Sequence, residues 1–134
     1  MFQILPEGPL DGPAIESLLD ATFGIGRQRK VSYRYRIGRE PEAALSWIAT
    51  SRGRPVGSIR YWRLLLDRAP ALLLGPLAIA PDRQGEGIGR ALVRMTLALV
   101  AQGHPPLVFL VGDPAYYAQF GFAVAPPNVL MPGE

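Results

Sequence analysis

The sequence predicts an α/β (α+β) fold: one mixed, mainly antiparallel sheet flanked by helices. Three observations predict it. Runs of β character alternate with two stretches of helical apolar spacing, in the order strand, helix, antiparallel strands, then strand–loop–helix–strand. Two adjacent β-like runs are separated by a turn of only a few residues, which makes them a hairpin. The last two strands are joined through a helix, which makes them a right-handed parallel crossover. At 134 residues the chain is expected to be a single domain, residues 1–134, large enough to fold without cross-links.

The elements follow in order. "FQIL" (residues 2–5) is a short apolar strand. "DGPAIESLLDATFG" (11–24) reads as a helix with Asp11 at the cap, Pro13 in the first turn and Gly24 at the stop. "RQRKVSYRYRIGR" (27–39) is a loop or short helix. "LSWIATS" (45–51) and "VGSIRYWRLL" (56–65) pair as a hairpin across "RGRP", and "DRAP" turns the chain into "ALLLGPLAIA" (71–80). That third strand has so few polar interruptions that it belongs at the centre of the sheet. From Gly87 to Gln102 the spacing turns helical, with Ile88, Leu92, Met95 and Leu99 on one face and Arg90, Arg94 and Ala101 opposite. "PLVFLVG" (106–112) is a further buried strand, and "DPAYYAQFGF" (113–122) a short helix closed by Gly121.

Composition excludes several classes of function. With no cysteine there is no disulfide framework, thiolate metal site or cysteine nucleophile. "MFQILPEG" has neither the basic start nor the apolar core of a secretory signal, and a cytoplasmic location is expected. The apolar run Ala69 to Pro81 has 13 uncharged residues, against about 20 for a membrane span, so no membrane partner is expected. The net charge of +3 is local: six basic residues and no acid fall in 27–39, and the remainder holds 8 basic against 11 acidic side chains. A nucleic-acid coat is therefore not expected.

"APDRQGEGIGRAL" (80–92) places three glycines in five positions before a helix, at the carboxyl end of the central strand, where open sheets favour ligands. The dinucleotide fingerprint fails in both registers, because its third position falls on Arg90 or Leu92. The P-loop fails as well, since Lys30 is the only lysine. What remains is Q-x-x-G-x-G, on Gln84, Gly87 and Gly89. Orphan amides of a first helical turn make this an anion site. On its own the pattern fits a strand-to-helix turn with incidental glycines equally well.

"LLLGPLAIAPDRQGEGIGRALV", followed by a strand and "YYAQFGF", resembles the GNAT superfamily of acyl-CoA N-acyltransferases over about Val56 to Phe122. "LVGDPAYYAQFGF" is similar to its YhbS-like bacterial branch. The resemblance implies acetyl-CoA (coenzyme A) as cosubstrate, with no metal. Its pyrophosphate would lie on Gln84, Gly85, Glu86, Gly87, Ile88, Gly89 and Arg90, and its pantetheine arm along Leu77, Ala78 and Ile79. A side chain at Gly87 or Gly89 is then expected to block that approach. The resemblance also implies a bulge in the central strand and a neighbour that splays away from it. Pro76, a residue that central strands exclude, marks such a bulge or else the start of a shorter strand.

In such enzymes a tyrosine four residues before Gly-Phe acts as the acid, which here is Tyr117. Tyr116 is expected to pack. No acid stands on the central strand, which leaves Asp113 as a weak base, more simply read as a helix cap. His104 belongs at the opposite edge of the sheet. The basic stretch, with Arg34, Arg36 and Arg39, either steers an acidic acceptor or is a solvated face. Relatives continue with another strand after Gly-Phe, whereas this sequence reads on to "VLMPGE" at 129–134. The edge near Phe122 is therefore expected to be open, and a homodimer would cover it. The expected function is acetyl transfer to a primary amine of a small molecule or peptide, and the rival is a non-catalytic acyl-CoA-binding sensor.

Overall fold

The computed structural model describes residues 1–24, 40–66, 68–102 and 107–125. The basic stretch at 27–39, His104 and the last nine residues lie outside these. The described chain forms β1 (Gln3–Pro6), α1 (Gly12–Phe23), β2 (Trp47–Ser51), β3 (Arg54–Leu66), β4 (Ala69–Ile79), α2 (Ile88–Ala101), β5 (Leu107–Phe109) and α3 (Pro114–Tyr117). The strands make one sheet in the order β1-β2-β3-β4-β5. Every pair is antiparallel except β4–β5, which is parallel as the crossover requires. Among the described residues no helix is long and apolar enough to cross a membrane.

The period-2 pattern of the strands sorts side chains to the two faces of the sheet. Ile59 and Tyr61 of β3, with Leu72 and Leu74 of β4, pack under Ile88, Leu92 and Val93 of α2. Ile48 and Ala78 join Ile15, Leu18 and Leu19 of α1, while Trp62, Leu64, Ala71 and Leu73 form a third cluster. The buried stripe of α2 is rotated from the expected one: it runs through Ile88, Gly89, Leu92, Val93 and Thr96, with Met95 and Leu99 only half-buried. Thr96 can be buried because its hydroxyl bonds the carbonyls of Leu92 and Val93 and meets the Tyr61 hydroxyl at 2.7 Å. Asp11 stands at the N-cap of α1, but its carboxylate accepts from the Gly8 N–H (2.6 Å) instead of from the helix.

The anomaly at Pro76 is resolved by a bulge. Ile59 pairs with Leu77 and Tyr61 with Leu74, so β4 spends one residue more than β3 between the same two rungs. Proline then sits where the ladder is already broken. The Trp62 indole N–H donates to the displaced Gly75 carbonyl at 2.6 Å. The extra residue reverses the phase of β4. Before it Leu72 and Leu74 face α2; after it Leu77 and Ile79 do, while Ala78 turns to α1.

Candidate functional site

The site begins with that reversal. Ala80 donates its N–H to the Val56 carbonyl of β3, so the Ala80 amide points towards β3. Alternation along a strand then turns Ala78 towards β3 and the N–H and C=O groups of Leu77 and Ile79 away from it. On that side β5 pairs only with Ala71, Leu72 and Leu73, and no described strand reaches Leu77 or Ile79. The splay is therefore present, and it exposes a short edge of backbone in the middle of a sheet. The Thr22 hydroxyl of α1 reaches the Ile79 carbonyl (3.2 Å) while also facing the Leu18 carbonyl (2.8 Å). Its one proton serves a single carbonyl at a time. Among the described residues, no backbone partner faces the Ile79 N–H or the backbone groups of Leu77.

The edge leads into the glycine loop. After β4 a single 3-10 turn, Pro81–Arg83, carries the chain to α2. Gly85 and Gly87 have φ of +85° and +84°, and a Cβ at either would meet no atom within 4 Å. Their glycines are dictated by backbone conformation, and the space in front of them is open. Gly87 caps α2 and has no side chain to bond the helix, so the first-turn amides of Ile88, Gly89 and Arg90 lack a side-chain cap from that position. Gly89 is glycine for a different reason: a Cβ there would lie 2.9 Å from the Tyr116 hydroxyl. The Ile88 side chain is buried in the core, so only its backbone faces the loop.

α3 stands against this turn. The Asp113 carboxylate accepts from the Ala115 N–H (3.0 Å), which makes it the helix cap. Gln119 accepts from Arg90 Nε (3.1 Å) and donates to the Tyr116 carbonyl, tying α3 to α2. Tyr116, expected to pack inside, is about one-third exposed, with its hydroxyl on the Gly89 turn. Tyr117 is half-buried, its ring edge-on to Tyr116 and Phe122 at centroid distances of 5.0 and 6.0 Å. Burial, with a smaller contribution from Tyr116, pushes its phenol up to about 12, so it is a protonated donor at neutral pH. A cleft of about 860 Å³ opens on the far side of Tyr117, between β5, α3 and residues 122–125. Its described lining, including Phe109, Val111, Phe122 and Val124, carries no charge. It follows the outer edge of β5 without reaching the glycine loop.

A strand edge without a described partner, running into a helix start, offers hydrogen-bonding groups to an amide-bearing arm and amides to an anionic end. Residues 42–124 match the Acetyltransferase (GNAT) domain family. The chain belongs to the GNAT acetyltransferase family. It is 28% identical over 116 residues to the uncharacterized N-acetyltransferase YjhQ of Escherichia coli K12, covering 84% of this chain and 64% of that protein. To the uncharacterized N-acetyltransferase YhbS of the same strain it is 29% identical over 122 residues, covering 89% and 72%. A GNAT family acetyltransferase of Brucella melitensis, solved with acetyl-CoA, superposes with a TM-score of 0.78 at 28% identity, covering 92% of this chain and 84% of that one. The E. coli YhbS structure, solved with CoA, gives 0.75 at 27% identity, covering 91% and 68%.

The GNAT resemblance read from residues 56–122 is thus borne out, and with it the mixed sheet. The cosubstrate of the family, acetyl-CoA, fits the groups this chain leaves open. Of the expected cofactor residues, Leu77 and Ile79 turn their backbone away from β3 and lead through the Pro81–Arg83 turn into the Gln84–Arg90 loop, while Ala78 faces β3 and the α1 cluster. Among the described residues no group of three or more His, Asp or Glu side chains could hold a metal ion. Two residues near this surface escaped the sequence reading. Thr22 gave no signal, because only the fold brings α1 to Ile79. Arg83, 2.8 Å from the Glu86 carboxylate, was legible as opposite charges three apart in the loop.

Proposed function

We propose that this chain transfers an acetyl group from acetyl-CoA to a primary amine of a small molecule or peptide, in the cytoplasm. The observation that carries the reading is the continuity of Leu77 and Ile79, unpaired on their β5 side, with the uncapped amides of α2. When bound, the cosubstrate supplies an activated thioester. Leu77 and Ile79 would pair with the amide-bearing arm as an added strand would. The amides from Gly85 to Arg90 would hold the pyrophosphate, favoured by the positive end of the α2 dipole. Tyr117 would donate its phenolic proton to the departing sulfur as the amine nitrogen bonds the acyl carbon and the C–S bond breaks; the proton that the nitrogen sheds would pass to solvent, which would return one to the phenolate.

One observation favours the rival, a sensor that binds acyl-CoA without turnover. β4 carries no acid, and the Asp113 carboxylate is committed to its cap. A panel of primary amines incubated with acetyl-CoA and a thiol reagent separates the two. Amine-dependent thiol release establishes the enzyme; tight calorimetric binding with no release by any amine favours the sensor.

A further inference from the structure

The anion loop contains its own anion. Between Gly85 and Gly87, where a pyrophosphate would meet backbone amides, stands Glu86, with its carboxylate 2.8 Å from Arg83 Nε. That ion pair holds the Glu86 carboxyl below its ordinary range. Over residues 81–90 the charged side chains are Asp82, Arg83, Glu86 and Arg90, which sum to zero. Arg90 is engaged by Gln119, and Asp82 lies 4.0 Å from Arg54. Arg83 is largely covered, and its charge is spent on Glu86. A phosphate arriving here therefore meets a neutralised loop instead of a positive one.

Resting on the acetyl-CoA reading above, we propose that Glu86 is a built-in competitor for Arg83: the guanidinium holds Glu86 in the free protein and turns to the pyrophosphate when the cofactor binds. Both partners of the exchange lie within one turn of the loop, and Arg83 can pair bidentately with phosphate as well as with carboxylate. The exchange costs the loop an ion pair on each binding event. Glu86 thereby lowers affinity for every phosphate-bearing cofactor form, acylated or not, which favours product release.

Calorimetric titration of the whole chain with acetyl-CoA, with CoA and with phosphate-free acetyl-pantetheine tests this. Wild type, Glu86→Gln, Arg83→Gln and the double variant are compared. Glu86→Gln is expected to tighten acetyl-CoA and CoA about two- to fivefold at low salt, with less gain at high salt. Acetyl-pantetheine should not respond. In the Arg83→Gln background the gain from Glu86→Gln should shrink, because no guanidinium is left to release. The competition is overturned if Glu86→Gln fails to tighten binding, if the gain persists undiminished without Arg83, or if the phosphate-free thioester gains equally. A wild-type chain that binds no acetyl-CoA refutes the functional reading itself, a separate outcome from any of these.

Discussion

Ala71–Leu73 and Leu77–Ile79 belong to one strand, yet the two segments do opposite work. The first is paired on both sides, to β3 and to β5, and all three side chains are buried. Among the described residues the second is paired only to β3, and its other edge leads into the glycine loop. Between them lie Gly75 and Pro76, the bulge that reverses the phase of the strand. A sheet interior normally has no spare hydrogen-bonding groups. One inserted residue and one diverging neighbour create them here, and the doubly paired half keeps the opened half in place.

The largest effect is expected at Tyr117, the proposed acid. Tyr117→Phe is expected to lower kcat by about 10²–10⁴-fold while leaving acetyl-CoA affinity and the unfolding midpoint unchanged. Steady-state kinetics with an amine from the acceptor screen, beside calorimetry, read the split. Since the phenol titrates near 12, it stays protonated through ordinary pH and gives no alkaline fall in kcat until close to that value. Tyr116→Phe is the comparison: its hydroxyl touches the α2 turn, so its loss should appear in the KM for acetyl-CoA and spare kcat. Full kcat in Tyr117→Phe, with chemistry rate-limiting, removes Tyr117 as the acid.

In the closed half the reverse holds. Leu73 is fully buried, and Leu73→Ala should cost about 2–5 kcal/mol in urea unfolding with unchanged acetyl-CoA affinity at temperatures where the variant is folded. Binding lost in step with stability would show that the two halves are one unit.

Gly87 and Gly89 sharpen the comparison within the loop itself. Valine at Gly87 would be forced to a φ of +84°, which costs about 1–3 kcal/mol or displaces the amides. Gly87→Val should therefore weaken acetyl-CoA by roughly 10- to 100-fold. Gly89→Ala comes too close only to the flexible, partly exposed Tyr116 side chain, with Ile79 at ordinary contact distance, and should weaken binding by no more than a fewfold. Equal losses at both positions would mean that the cofactor, and not Tyr116, requires the second glycine.

Much of this was readable from the chain. Period-2 and helical spacing located the strands and helices, because burial of one face dictates those patterns. Pro76 flagged an irregularity, a bulge or a shorter strand, since a missing N–H does not fit a regular central strand, and the register shows the bulge. The failed nucleotide fingerprints left a glycine loop that fits an anion site or a plain turn equally well, and the resemblance to GNAT proteins is what pointed to Tyr117, four residues before Gly121. The unread parts depend on long-range geometry. The α2 stripe was misplaced because Thr96 counts as polar until the Tyr61 hydroxyl is known to meet it. Tyr116 was assigned to packing because nothing local tells that Gly89 makes room for its hydroxyl. Thr22 reaches Ile79 only after folding.

Tyr61 stands at the boundary, paired with Leu74 just below the bulge, and carries the smallest predicted effect. Its hydroxyl meets Thr96 Oγ1 at 2.7 Å in the core, and Thr96 sends its own proton to a carbonyl of α2, so Tyr61 is the donor. Tyr61→Phe removes that bond but leaves Thr96 satisfied by its helix, which should cost about 1 kcal/mol at neutral pH. Burial pushes the Tyr61 phenol up to about 12, above the value near 10 of an unfolded chain. A raised folded value means that the native state holds the proton more tightly. The associated stability is complete below pH 10 and is lost as pH rises towards 12. Wild type should therefore lose stability over that window faster than Tyr61→Phe, and the gap between them should close. Urea unfolding of both proteins at several pH values from 7 to 12 measures it. Parallel curves would mean that the phenol is not held protonated by burial, and that the α2 face admits water at the level of the bulge.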